Sequence, residues 1–152
     1  MFCCDGSSFG NTSAAGFGVV VRDHDCQVLG TLTGGIGIAF NYTAEVYAII
    51  CAMELAIEWC KEKILIVSDS QIVMNEFIHG QIPWFIRSIW KQAVGKFSQI
   101  KYNHCYREVN FSADSVAKKG ANLAPGERQL YTGRPSSLRR VEMSNVKYHR
   151  FC

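Results

Sequence analysis

Charge is scarce in this chain. Asp, Glu, Lys and Arg make up 19% of 152 residues and hydrophobic residues 48%, a balance that excludes a disordered chain and supplies one ordinary core. Neither sign dominates: the formal net charge is +3, which tolerates a nucleic-acid partner without demanding one. No uncharged run approaches the length that spans a bilayer. No basic segment followed by an apolar stretch opens the chain, as a secretory signal would, so an intracellular, non-secreted protein without a membrane partner is expected. None of the seven cysteines (Cys3, Cys4, Cys26, Cys51, Cys60, Cys105, Cys152) forms a C-x-x-C pair, which argues against zinc and thioredoxin-like motifs. Their number is odd and most sit in apolar runs. They read as buried thiols in a reducing compartment, with Cys3, Cys4, Cys51 and Cys60 inert and no disulfide needed. Sequons at Asn11, Asn41 and Asn110 then have no secretory route to serve. There is no internal repeat.

What is present reads as an α/β domain. Residues 2–7, 15–23 and 26–40 suggest three strands joined by short turns, an antiparallel meander. The period then changes. Val46, Ile49, Ile50, Met53, Ile57 and Cys60 fall at helical spacing within 43–61. The apolar run KILIVSD (63–69) predicts a central buried strand reached by a crossover helix. A helix over 70–80 should end at Gly80, and another over 83–97 should bury Phe85, Ile89, Ala93 and Phe97. Residues 98–106 alternate as a fifth strand, and 111–121 form a last helix with Ser112 as N-cap. The expected domain is 1–121, a mixed sheet with helices on both faces. A polar, basic extension, partly ordered at most, would fill 122–152.

Four carboxylates sit awkwardly for mere structure. Asp5 ends the first strand as the chain heads into the core, where it also suits a turn. Glu45 lies at the edge of a buried helical stripe, although a first-turn acid also answers the helix dipole. Asp69 ends the central strand, where ligands gather in open α/β sheets, and equally suits an N-cap. Asp114 falls in the first turn of the last helix. Gathered at one sheet end, four acids would repel one another and lose hydration. They make sense around hard divalent cations, which take oxygen ligands, and two such ions suit a phosphoryl displacement.

These residues carry a resemblance. The segments CDGSSFGN (4–11), AEVYAII around Glu45, SDSQIVM around Asp69 and HCYREVNFSADSVAK from His104 through Asp114 resemble the type 1 ribonuclease H domain. The form most similar is the plant one related to retrotransposon reverse transcriptases, and the likeness covers nearly the whole chain. Each match alone is short; four in order on matching elements are specific. The resemblance implies the ribonuclease H-like fold, with a five-stranded mixed sheet of three antiparallel strands plus a parallel extension. It implies Asp5, Glu45, Asp69 and Asp114 as metal ligands for Mg²⁺, with Mn²⁺ as a substitute. His104 would be the mobile catalytic histidine that aids product release or proton movement; a half-buried histidine at a strand end is the plainer reading. Asn41 and Gln71 match substrate-binding positions, against plain readings as a loop Asn and an exposed helix-start Gln. Asn110 joins that set and would order the loop before the last acid.

The implied reaction is endonucleolytic hydrolysis of the RNA strand of RNA–DNA hybrids, leaving a 3′-hydroxyl and a 5′-phosphate, by a monomer. Selection would rest on the 2′-hydroxyl and backbone shape, with little sequence readout. The alternative is a catalytically degenerate, retroelement-derived nucleic-acid-binding domain. Another nuclease or integrase on this fold fits less well, because HCYREVNFSAD matches the ribonuclease H branch. Two departures bear on the site, the first on the stability of the metal site and the second on substrate binding. The first strand is short, with four residues before Asp5. The extra basic helix and loop that many bacterial relatives use to grip substrate is missing. Arg87 and Lys91, four apart, could partly replace it or simply form a solvated face.

Overall fold

The structure is a computed structural model and describes residues 1–10, 13–136 and 138. Its strands are β1 (Phe2–Ser8), β2 (Ser13–Arg22), β3 (Val28–Ala39), β4 (Lys63–Ser68), β5 (Gln99–His104) and β6 (Arg128–Thr132). Its helices are α1 (Asn41–Glu58), α2 (Gln71–Ile78), α3 (Arg87–Val94) and α4 (Phe111–Gly120), with short 3-10 turns at Trp84–Ile86 and Arg107–Val109. The strands form one sheet in the order β5-β4-β1-β2-β3-β6. The meander β1–β2–β3 is antiparallel, and β4 and β5 extend it in parallel from β1. This is the expected mixed sheet with one strand more. β6 pairs antiparallel with β3 from Gly30↔Thr132 to Gly34↔Arg128, so the sheet does not end before residue 122.

β1 lies inside the sheet because its residues are apolar on both faces. Phe2 and Cys4 join the larger core with α1, α2 and α3, while Cys3 joins a smaller one with Val20, Val67 and Val116 of α4. Such alternation without a polar face marks a strand covered on both sides. Glycine sets how closely the helices approach. A Cβ on Gly6 would lie 2.3 Å from the backbone of Ala44 and Glu45, so α1 rests directly on β1. A Cβ on Gly18 would lie 2.4 Å from the Ala117 nitrogen, so α4 rests on β2 in the same way. Thr33 fixes that second contact, donating from Oγ1 to the Val116 carbonyl at 2.8 Å.

Several local expectations are corrected. The 83–97 segment opens as a 3-10 turn, and α3 is shorter than expected. Of the four residues expected to face inward, Phe85, Ala93 and Phe97 do pack on the core, joined by Ile86, Trp90 and Val94, whereas Ile89 is 41% exposed. Ser112 is not the N-cap of α4; that position is Asn110, and Ser112 lies buried within the first turn. Cys60 is exposed, not inert in an apolar run, because α1 stops at Glu58 and Cys60 turns the chain at φ 57. Cys26 is exposed too, while Cys3, Cys4 and Cys51 are buried and free. Cys152 and Asn11 lie outside the described residues. Among the described residues, no helix is long and apolar enough to cross a membrane.

Candidate active site

Asp5 does not end its strand; β1 runs on to Ser8 along β2. It stands instead where the parallel pairing with β4 stops, since the last β1–β4 pair is Cys4↔Ser68. Asp69 follows Ser68 directly. The two acids therefore leave adjacent parallel strands side by side at their carboxyl ends, where the sheet opens. Glu45 reaches the same point from α1. It sits beyond the first helical turn, so the dipole does not account for it, and the contact at Gly6 brings its backbone down onto β1. Asp69 is not a cap either, because Ser70 holds that position and α2 begins at Gln71.

One oxygen each from Asp5, Glu45 and Asp69 lies within 4.8 Å of the others. Asp5 is 4% exposed and Glu45 7%. Burial, then the charges of Glu45 and Asp69, push the Asp5 carboxyl far above its usual range, to about 10. Burial also raises Glu45 and Asp69. Burial and mutual repulsion thus disfavour charging all three acids together. The Asp5 Oδ1 accepts from the Gly6 N–H at 3.0 Å. Glu45 Oε2 is buried and has no hydrogen-bond partner among the described residues. A buried carboxylate oxygen without a donor costs stability. A cation relieves that cost, and an all-oxygen set selects a hard ion such as Mg²⁺ or Mn²⁺ over a thiophilic one. The donor set fits a divalent cation.

Asp114 lines the same cleft from α4 but stands outside the three-acid group, its Oδ2 2.8 Å from Lys118 Nζ. The cleft has a volume of about 680 Å³ and is also lined by Asn41, Tyr42, Arg107 and Lys118. His104, at the end of β5, is exposed and does not line the cleft, but its Nε2 donates to the carbonyl of Asp69, which does, at 3.1 Å. Asn41 is exposed in the cleft wall. Gln71 is exposed but does not line the cleft; its amide turns along α2 toward Asn75 at 3.5 Å. Asn110 is 3% exposed, and its Nδ2 donates to the Cys4 carbonyl at 3.0 Å. That bond ties the start of α4 to β1 one residue before Asp5, in keeping with Asn110 ordering the loop before the last acid.

Sequence reasoning missed Tyr42, Arg107 and Lys118. Tyr42 donates its phenol to Glu76 at 2.6 Å, clasping α1 to α2. Lys118 was legible in principle, standing four residues after Asp114 on a helix. Arg107 carried no signal of its own, because its 3-10 turn has no periodicity to place it.

A six-stranded sheet of this order, with acids converging where β1 and β4 open, defines a domain of the type 1 ribonuclease H fold. A family model described as reverse transcriptase-like matches residues 3–120. The chain belongs to that family. The ribonuclease H of Nitratidesulfovibrio vulgaris (strain DP4) is 30% identical over 89 residues, covering 59% of this chain and 54% of its own length. The chain thus spans about half the length of that relative. Among solved structures, RNase H1 from the halophilic archaeon Halobacterium salinarum NRC-1 matches with a TM-score of 0.72 at 27% identity, over 80% of this chain and 96% of that one. LC11-RNase H1, solved in complex with an RNA/DNA hybrid, matches with a TM-score of 0.67 at 22% identity, over 78% and 94%.

Proposed function

We propose that this chain hydrolyses the RNA strand of RNA–DNA hybrids with the help of divalent cations held by Asp5, Glu45, Asp69 and Asp114. One observation carries the reading: three carboxylates gather within 4.8 Å of one another in an open cleft, and one of them, Glu45, keeps a buried oxygen with no hydrogen-bond partner among the described residues. Two bound Mg²⁺ or Mn²⁺ ions would supply an activated water and neutralise charge on the scissile phosphate. The chain's own residues do the rest. Asp5 is fixed within β1, and Asp69 follows the last paired residue of β4. Glu45 is held by the α1–β1 contact. Asn41, in the cleft wall, presents an amide to the sugar–phosphate backbone, where contact with a 2′-hydroxyl separates RNA from DNA. His104 can exchange the Asp69 carbonyl for the leaving 3′-oxygen and pass it a proton. Hybrid binding by LC11-RNase H1 supports the same substrate here.

The test is cleavage of an end-labelled RNA–DNA hybrid, with the single-stranded RNA and the DNA duplex as controls, in Mg²⁺, in Mn²⁺ and in EDTA. Metal-dependent cutting of the hybrid's RNA strand supports the reading. Hybrid binding without cutting in either metal supports the catalytically degenerate alternative.

A further inference from the structure

The cleft straddles the end of the sheet and has two unlike walls. Phe9, Tyr42 and Ile72 come from the turn after β1 and from α1 and α2, on the side of the larger core. Arg107 and Lys118 come from the approach to α4 and from α4 itself, on the opposite face. The cationic wall is therefore one-sided, and one of its two cations is already engaged by an acid of the cleft. Lys118 Nζ lies 2.8 Å from Asp114 Oδ2, and Asp114 is the one cleft aspartate outside the three-acid group.

We propose that Lys118 is a displaceable counter-ion that sets the cleft's affinity for divalent cations. It holds Asp114 apart from Asp5, Glu45 and Asp69 and releases it when a cation enters. Its freed ammonium then takes a phosphate oxygen of the bound strand. The inference rests on the reading above that this cleft takes a divalent cation and a nucleic-acid backbone. The pair is built to exchange. It is an i,i+4 pair on a helix surface, with side-chain exposures of 58% for Lys118 and 25% for Asp114, and such pairs contribute little stability. Lysine is a point charge on a flexible stem, able to swing between two anions of the same cleft. One carboxylate oxygen cannot serve the ammonium and a metal equally well, and an ammonium beside an incoming dication repels it. Glu45 Oε2, buried and unpartnered, marks where that dication is wanted.

The experiment compares the wild-type chain with Lys118→Met and Lys118→Arg. Mn²⁺ alone is titrated with the free ion followed by electron paramagnetic resonance. Binding of a labelled RNA–DNA hybrid in Ca²⁺ is measured against salt. Lys118→Met should bind Mn²⁺ roughly three- to tenfold more tightly, from the lost repulsion and the freed carboxylate. Its hybrid affinity should fall, with the slope of log K against log salt reduced by about one. Lys118→Arg should keep the wild-type slope. An ion pair that merely supported α4 would lower the melting temperature and move neither readout, which would overturn the proposal. Mn²⁺ binding by Lys118→Met that is unchanged or weaker, or undetectable in both proteins, would overturn it as well. If the wild type cuts no hybrid while Lys118→Met still tightens Mn²⁺, the nuclease reading fails and the counter-ion assignment stands.

Discussion

Asp5→Asn should stabilise the metal-free protein at neutral pH. In the folded chain the Asp5 carboxyl titrates near 10, against 3.8 for the unfolded chain, chiefly because it is buried and next to Glu45. The folded state therefore holds a proton that the unfolded state has lost at every pH between those values. The stability given by the protonated form is fully present below pH 3.8 and is lost as pH rises toward the folded value. At pH 7 the loss is about 1.4 kcal/mol for each pH unit above 3.8, or ~4 kcal/mol. The asparagine has no proton to lose, and its Oδ1 can still accept from the Gly6 N–H. Chemical denaturation of both proteins in EDTA, at pH 4 and pH 7, measures the difference. A gain of ~2–4 kcal/mol at pH 7 that shrinks to near zero at pH 4 is expected. Saturating Mg²⁺ should stabilise the wild type more than the variant, because only the wild type has the carboxylate a cation would take. Equal stability at pH 7, or a gain of the same size at both pH values, would refute the account of a carboxylate strained by burial.

The remaining predictions concern activity and the supports of the site. Asp69→Asn should eliminate Mg²⁺-dependent cutting while circular dichroism and hybrid binding persist; wild-type cleavage rates in this variant would remove Asp69 from the site. His104→Ala should slow turnover without abolishing it, as followed by steady-state cleavage, since it removes the proposed proton donor and leaves the three-acid group in place. Gly6→Ala should cost about 1–3 kcal/mol by forcing α1 off β1 and should weaken Mn²⁺ binding; denaturation and the Mn²⁺ titration check both. Asn110→Ala should cost about 1–3 kcal/mol, because the Cys4 carbonyl loses its buried donor. A drop in hybrid affinity at unchanged stability would instead make Asn110 a substrate contact.

The parts of the fold that sequence revealed are those whose own residues decide them. The unbroken apolar run at 63–69 specifies a strand buried on both faces, and the helical spacing from Val46 to Ile57 specifies the buried stripe of α1. β6 was missed because all five of its residues are exposed, so burial gives it no alternating signature. Its place is decided by the free edge of β3, which is a property of another segment. In the 83–97 segment Phe85, Ala93 and Phe97 face the core as their spacing suggests, and only Ile89 departs, because a 3-10 turn precedes the helix and changes the rotation at which it emerges. At the site, the acids were legible as residues out of place, and their convergence is now visible for three of the four. Periodicity could not reveal that Asn110 faces inward to the Cys4 carbonyl, because that contact depends on how distant segments meet. The pairing of Asp114 with Lys118, by contrast, is local, an i,i+4 contact on one helix.

Asp5 and Glu45 are neighbours because α1 meets β1 at Gly6, where the strand presents no side chain and the helix presents only its backbone and the Ala44 methyl. The gap between the two carboxylates is thus insulated from the size of the core residues around it. An Ile exchanged for Val in α1, or a Val for Ile in β2, changes how well the layers fill space but adds nothing between the main chains that carry the acids. Such a domain can let its interior drift widely and keep its chemistry in register. The same arrangement leaves a single point of failure: any side chain larger than hydrogen at position 6 wedges the two carriers apart. A library that randomised the apolar core should therefore retain metal-binding members in abundance, whereas one that randomised only position 6 should retain glycine alone.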